Sequence, residues 1–238
     1  MSQKSYDFTI ARLGEPKVPS PIVMGPKNGD AQADYVRDSD HILFGIEAMM
    51  NEVGRQVPRF EETVEVAGPR EKIYFNPNHV HAAIATCGGI CPGLNNVIRA
   101  VVRCFWYRYG VRRISGVQYG YQGLLATSPW PLIPLDPDLV DDIQEKGGTI
   151  LGSARGGGKQ VEEIVDSLEK LNVNILVTIG GDGTLRGARD IAEEVEKRGL
   201  KISVIGIPKT IDNDLSLIQS SFGVDTAVQM AVPVVRGA

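Results

Sequence analysis

Residues 174–179 read Asn-Ile-Leu-Val-Thr-Ile and run directly into Gly180-Gly181-Asp182-Gly183-Thr184. An apolar run of this length, bounded by glycines, predicts a strand buried on both faces at the centre of a parallel sheet. Behind the glycines, Leu185, Ala188, Ile191, Ala192 and Val195 recur at helical spacing. On the opposite side Glu193 with Lys197, and Glu194 with Arg198, stand i, i+4 apart as expected of a solvated face. A buried strand that turns through glycines into an amphipathic helix leaves few architectures open. It needs parallel neighbours, and helices must cover the sheet.

The same unit recurs along the chain. Residues 82–86 form a short apolar strand that closes into Cys87-Gly88-Gly89-Ile90-Cys91-Pro92-Gly93, followed by a helix with Leu94, Val97, Ile98, Val101, Val102 and Phe105 on one face. Residues 113–117 form a strand candidate ahead of Tyr119-Gly120-Tyr121-Gln122-Gly123-Leu124. Residues 138–146 read as a helix stopped by Gly147-Gly148. Val161, Ile164, Val165, Leu168 and Leu171 mark another amphipathic helix, and residues 201–207 another strand. The alternation predicts a doubly wound, mainly parallel α/β sheet of Rossmann-like type. Ligands bind such sheets beyond the carboxyl ends of the strands, where the glycine clusters fall here.

Residues 1–70 differ, being rich in Pro, Asp, Glu and Gln. Their one helix-like stretch, residues 41–53, carries Ile42, Leu43, Ile46, Met49 and Met50 at spacings that fit one apolar face. They read as an N-terminal extension that packs on a core spanning residues 71–238.

The 238 residues carry a net charge of -4, which gives no general reason to expect nucleic acid or an anionic membrane as partner. An anionic metabolite would need a local cluster of donors. No apolar run approaches the roughly 18 residues of a membrane helix, and residues 1–21 lack the apolar core of a signal peptide. Cys87, Cys91 and Cys104 make a poor disulfide framework, so a cytoplasmic location is expected. Cys87-x3-Cys91 lacks the further ligands a zinc site needs and reads as small buried thiols around a turn.

Glycines after a buried strand let the backbone turn and present N–H groups, and the helix behind them adds a partial positive charge that favours phosphate. Asp182 among them is odd for direct phosphate contact. It either holds Mg²⁺ that bridges phosphate oxygens or caps the helix. The stretch Gly152-Ser153-Ala154-Arg155-Gly156-Gly157-Gly158-Lys159-Gln160 imitates a Walker A loop. Its spacing fails, because the first glycine of that motif would fall on Ser153 and Gln160 replaces the Mg²⁺-binding hydroxyl. Arg155 there is either a phosphoryl clamp or an exposed loop arginine. Lys209-Thr210-Ile211-Asp212-Asn213-Asp214 follows the last strand. Either of its carboxylates suits acceptance of a hydroxyl proton in phosphoryl transfer, and an Asx-rich turn is the plain alternative.

Over about residues 70–230 these segments together resemble the phosphofructokinase family. The match lies in Gly88-Gly89-x-x-Pro92-Gly93-x-Asn95, Gly120-Tyr121-x-Gly123-Leu124, Leu151-Gly152-Ser153-Ala154-Arg155, the Gly180-Gly181-Asp182-Gly183-Thr184 loop and the Lys209 to Asp214 motif, in family order. The resemblance implies Asp212 as catalytic base for the sugar 1-hydroxyl, with Lys209, Thr210 and Ile211 beside it at the substrate. It implies Asp182 as the Mg²⁺ carboxylate. Gly89, Tyr121, Arg155, Gly156, Gly181, Asp182, Gly183 and Thr184 would form the ATP site, with Tyr121 near the base. The implied enzyme is a glycolytic 6-phosphofructokinase, allosteric and homo-oligomeric in full-length members, with fructose 6-phosphate and ATP as substrates.

Lys209 resembles pyrophosphate-dependent members, but those carry a second Asp where Gly183 stands. Glycine leaves room for the α-phosphate of ATP. The pair, with the extension and Ala67-Gly68-Pro69-Arg70-Glu71, resembles the ATP-using branch of the pyrophosphate-like group. Another Gly-Gly-Asp-Gly kinase, of NAD or diacylglycerol, shares one loop but not the Lys209 to Asp214 motif. Family members continue past residue 238 into a sugar-phosphate domain, so the chain is expected to be an N-terminal part. A nucleotide-binding module without turnover stays open on that ground.

Overall fold

The computed structural model describes residues 7–24, 35–43, 63–215 and 217–237. The chain divides into two units, Met1–Phe75 and Asn76–Ala238. In the first, strand β1 (Val18–Pro19) pairs antiparallel with β4 (Lys72–Ile73), and β2 (His41–Leu43) pairs antiparallel with β3 (Thr63–Glu65). Arg12 and Arg70 both reach Asp38 and Glu65, at 3.2 and 2.8 Å and at 2.9 and 3.5 Å, which cross-links segments distant in sequence. The helix expected over residues 41–53 is corrected at its start. His41–Leu43 is strand, paired residue by residue with Thr63–Glu65, and the rest of that stretch lies outside the described residues. Apolar spacing over so short a run does not separate helix from strand, and the cross-strand partner decides.

The second unit is built on a five-stranded sheet. Its strands are β5 (His81–Thr86), β6 (Arg113–Val117), β7 (Ile133–Pro134), β8 (Ile175–Gly180) and β9 (Ser203–Pro208), in the spatial order β7-β6-β5-β8-β9. All pairings are parallel except β6 with β7. The chain leaves the central β5 toward β6 and β7, then returns to β5's other side as β8. Helices α1 (Leu94–Arg103), α2 (Val161–Lys170), α3 (Asp182–Lys197) and α4 (Val224–Arg236) complete it. The expected doubly wound, mainly parallel fold is the one observed.

All six residues of β5 are buried. Ala83, Ala85 and Cys87 share one core with Leu176 of β8, with Ile164, Val165 and Leu168 of α2 and with Ile191 and Val195 of α3. The small side chains let the helices approach closely, and each buried Leu, Ile or Val contributes roughly 1.5–3 kcal/mol. On the outer face of α3, Glu194 pairs with both Lys197 (2.9 Å) and Arg198 (2.7 Å), while Glu193 meets Arg189 (3.4 Å) rather than Lys197. The face expected to run through Phe105 stops being α-helical at Arg103 and continues as one π turn, Cys104–Arg108. Along α4 no residue is buried, and Val228, Met230, Val232, Val234 and Val235 are exposed. Among the described residues no helix is long and apolar enough to cross a membrane.

The helix expected over residues 138–146 is also corrected, because only the 3-10 turn Ile143–Glu145 forms there. Asp136, ahead of Pro137, accepts the Leu139 N–H at 2.7 Å and so offers the backbone a turn in place of a helix. Buried Asn95 then captures the far end, donating to the Lys146 carbonyl and accepting from the Ile150 N–H, both at 2.9 Å. Val140 and Ile143 are still buried, since a spacing of three serves a 3-10 turn as well as an α-helix.

His81 opens β5 at 3% exposure. Its Nδ1 donates to the Leu171 carbonyl (3.0 Å), and its Nε2 lies 2.8 Å from the Ser115 hydroxyl. Burial, with the nearby Arg113 charge, holds the imidazole below its ordinary value of 6.5, against the opposing pull of the Leu171 carbonyl. The unfolded chain therefore protonates first as pH falls. The stability due to neutral His81 is whole above about pH 6.5 and is lost as pH drops through the folded value. Urea unfolding at about pH 7.5 and about pH 5.5 should show a larger loss on acidification in the wild type than in His81→Gln. Equal losses would clear His81 of the effect.

Candidate functional site

The reversal of strand order between β5 and β8 leaves a gap at their carboxyl ends, the place where open α/β sheets take ligands. There the Cys87 N–H donates to the Ile179 carbonyl at 2.9 Å, closing the floor. Residues 152–159 cross over it. The Gly88 N–H donates to the Ala154 carbonyl (2.9 Å), and the Ser153 hydroxyl donates to the Gly88 carbonyl (2.6 Å). The Gln122 amide holds the Arg155 carbonyl at 2.9 Å. Together with the start of α3 these segments enclose a cleft of about 550 Å³.

Helix α3 begins at Asp182, and Gly181 occupies its cap position. Asp182 is therefore not the cap. It is exposed and lines the cleft, which leaves its carboxylate to the ligand side. A Cβ at Gly180 would lie 2.7 Å from the Thr184 Cβ and 2.8 Å from the Cys87 carbonyl oxygen, so the strand-to-helix turn requires glycine there. A Cβ at Gly183 would meet nothing within 4 Å.

The charge of the cleft is opposite to that of the chain. Arg155, Lys159, Arg186 and Lys209 line it against Asp182 and Asp190. Lys209 is only 6% exposed, and its Nζ donates to the Gly89 carbonyl at 2.6 Å. Among the described residues no carboxylate lies within ion-pair distance of it. A buried ammonium held by a carbonyl alone is poorly compensated and favours an anion in the adjoining space. Burial pushes the Cys87 thiol up to about 11, against the weaker opposing pull of its hydrogen bonds and of Lys209, so the floor contributes no negative charge at neutral pH.

Beyond Lys209 the loop is tied to itself. The Thr210 N–H donates to the Ser221 hydroxyl (2.9 Å), and the Ser221 N–H donates to Asn213 Oδ1 (2.9 Å). The Thr210 hydroxyl donates to Asp214 (2.6 Å) and accepts from the Asp212 N–H (3.2 Å). The Asp214 carboxylate is thus used within the turn. That of Asp212 is exposed and accepts no hydrogen bond among the described residues.

Of the residues singled out in the sequence, Gly89, Tyr121, Arg155, Gly156, Gly181, Asp182, Gly183, Thr184 and Lys209 line the one cleft. Thr210, Ile211 and Asp212 follow Lys209 in the chain but are not among its lining residues. Lys159, Arg186, Gly187 and Asp190 were not singled out for the site. A usable signal existed, since Gly183, Arg186, Gly187 and Asp190 stand at i, i+3, i+4 and i+7 along one side of α3, beside Asp182.

Fold and cleft together define a class: a doubly wound α/β protein with a glycine-lined, cationic cleft at its switch point. Residues 81–237 match the family model described as Phosphofructokinase, so the chain belongs to the phosphofructokinase family. It is 53% identical over 239 residues to the ATP-dependent 6-phosphofructokinase of Borreliella burgdorferi, covering 100% of this chain and 52% of that protein. To the enzyme of the same name from Trypanosoma brucei brucei it is 42% identical, covering 98% of this chain and 47% of that one. The solved phosphofructokinase of Saccharomyces cerevisiae superposes with a TM-score of 0.57 at 28% identity, over 66% of this chain and 24% of that one. The chain spans about half the length of the curated relatives it matches.

Two substitutions test the glycine geometry. Gly180→Ala should destabilise the fold by about 1–3 kcal/mol, since the Cys87 backbone cannot yield. Gly183→Ala, in the first helical turn with open space around it, should leave stability unchanged or raise it by up to ~1 kcal/mol. Chemical denaturation reads both, and a wild-type midpoint for Gly180→Ala would contradict the turn described here.

Proposed function

We propose that the cleft binds the polyphosphate of ATP, and that the whole protein transfers the γ-phosphoryl group to the 1-hydroxyl of fructose 6-phosphate. The observation that carries the reading is Lys209, buried with no carboxylate partner among the described residues, where the glycine loops after β5 and β8 converge. Arg155 and Lys159 supply further charge from the crossing loop. The start of α3 offers the backbone N–H of Gly183, while that of Thr184 is held by the Gly181 carbonyl. The names of the relatives support ATP as donor.

Mg²⁺ fits the residues present. It commonly keeps several waters and takes one or two carboxylates plus phosphate oxygens. Asp182 is an exposed carboxylate on the cleft, free of a capping duty. Bound there, the ion would neutralise charge that builds on the phosphoryl oxygens. The chain's own residues do the rest. Asp212 accepts the proton of the sugar hydroxyl as its oxygen forms the new bond to phosphorus. The bond from phosphorus to the β–γ bridging oxygen breaks, and ADP leaves. Asp214 holds Thr210, and Thr210 holds the backbone of Asp212, so one carboxylate steadies the loop and the other stays free for the proton.

Lys209 also favours a second reading, with pyrophosphate as donor. The open space at Gly183 supports ATP instead, because a side chain there would point into the room that the α-phosphate needs. In the full-length enzyme, initial rates with ATP should exceed those with pyrophosphate, and turnover with pyrophosphate alone would overturn the choice of donor. Asp212→Ala should lower kcat by about 10²–10⁴-fold. Near-normal turnover in that variant would remove Asp212 from the role.

A further inference from the structure

Tyr121 lines the cleft, yet it is only 2% exposed and presents little surface to a ligand. Its hydroxyl donates to the main-chain carbonyl of Thr184 at 2.7 Å. The Thr184 N–H in turn donates to the Gly181 carbonyl at 2.8 Å, so the phenol grips the same turn that carries Asp182 and Gly183. Burial pushes the phenol well above its ordinary value, which keeps it a neutral donor.

The ring sits in a slot that glycines leave open. A Cβ at Gly187 would lie 2.9 Å from its Cε2, one at Gly158 would lie 3.1 Å from its Cδ2, and one at Gly157 would lie 3.0 Å from the tyrosine Cβ. Gly187 belongs to α3, and Gly157 and Gly158 to the loop that crosses the cleft. The side chain is therefore wedged between the two walls and bonded to one of them.

We propose that Tyr121 is a positioning residue, which sets the turn at residues 181–184 against the loop at residues 156–158 and acts through the Thr184 carbonyl rather than on the nucleotide. Its consequence for binding rests on the nucleotide reading above, whereas the mechanical link does not. A neutral hydrogen bond inside the fold is modest in net worth. Its value here is placement, because the backbone donors of the turn must meet phosphate oxygens at hydrogen-bonding distance.

Tyr121→Phe keeps the ring and deletes the donor. In the 238-residue chain, amide hydrogen exchange at residues 184–188 should quicken by about 3- to 10-fold relative to α2. A general loss of stability would instead quicken exchange throughout the sheet. Gly187→Ala, which displaces the ring, should reproduce the local pattern. MgATP affinity measured by calorimetry should fall by a similar factor of about 3–10. Exchange that is unchanged, or raised uniformly, overturns the link between Tyr121 and the turn. Local loosening with unaltered MgATP affinity overturns the positioning role and leaves a structural anchor. A wild-type chain that binds no MgATP defeats the nucleotide reading, while the exchange data still decide the link.

Discussion

The parallel pairing of β5 with β8 is the contact on which the rest depends. The register from Ala82 with Ile175 to Thr86 with Ile179 places both carboxyl ends side by side. The connections from β5 run one way to β6 and β7, and β8 arrives on the other side. The alanines of β5 make this pairing possible at the centre of the sheet, because larger side chains there would hold α2 and α3 away. Once the two strands are aligned, the turn after each must face the other, and the loop at residues 152–159 docks across them through Ala154 and Ser153.

Electrostatics follow from that placement. A chain with a net charge of -4 gathers Arg155, Lys159, Arg186 and Lys209 around one cleft. No general attraction for anions results, only a local one, and it is strongest where Lys209 is buried. The same economy appears beyond β9, where Asp214 spends its charge on Thr210 and Asp212 does not. Two carboxylates that are equivalent in sequence are made different by one hydroxyl.

Strands and loops were legible in the chain where their signal is local. Residues 174–179 are an apolar run ending at glycines, and residues 113–117 carry Ile114 and Val117 just ahead of Tyr119-Gly120. Residues 138–146 misled because Val140 and Ile143 satisfy a 3-10 turn as readily as an α-helix. The capture of the Lys146 carbonyl by Asn95 is a contact across fifty-one positions of sequence that no local pattern announces. Residues 41–43 misled for a related reason, since their strand partner is Thr63–Glu65.

The site divides along the same line. Sequence by itself determined that glycine clusters close two buried strands, that a carboxylate stands in one of them and that a polar cluster follows the last strand, because each rests on neighbours in the chain. Tertiary structure alone decided that Gly181 rather than Asp182 caps α3 and that Asp214 is used while Asp212 is free. It alone turned Tyr121 into a wedge between the cleft walls, whereas the helical spacing of Arg186 and Asp190 with Gly183 was already written in the sequence. Those outcomes depend on which surfaces meet when the strand order reverses, and that is a property of packing over long sequence separations.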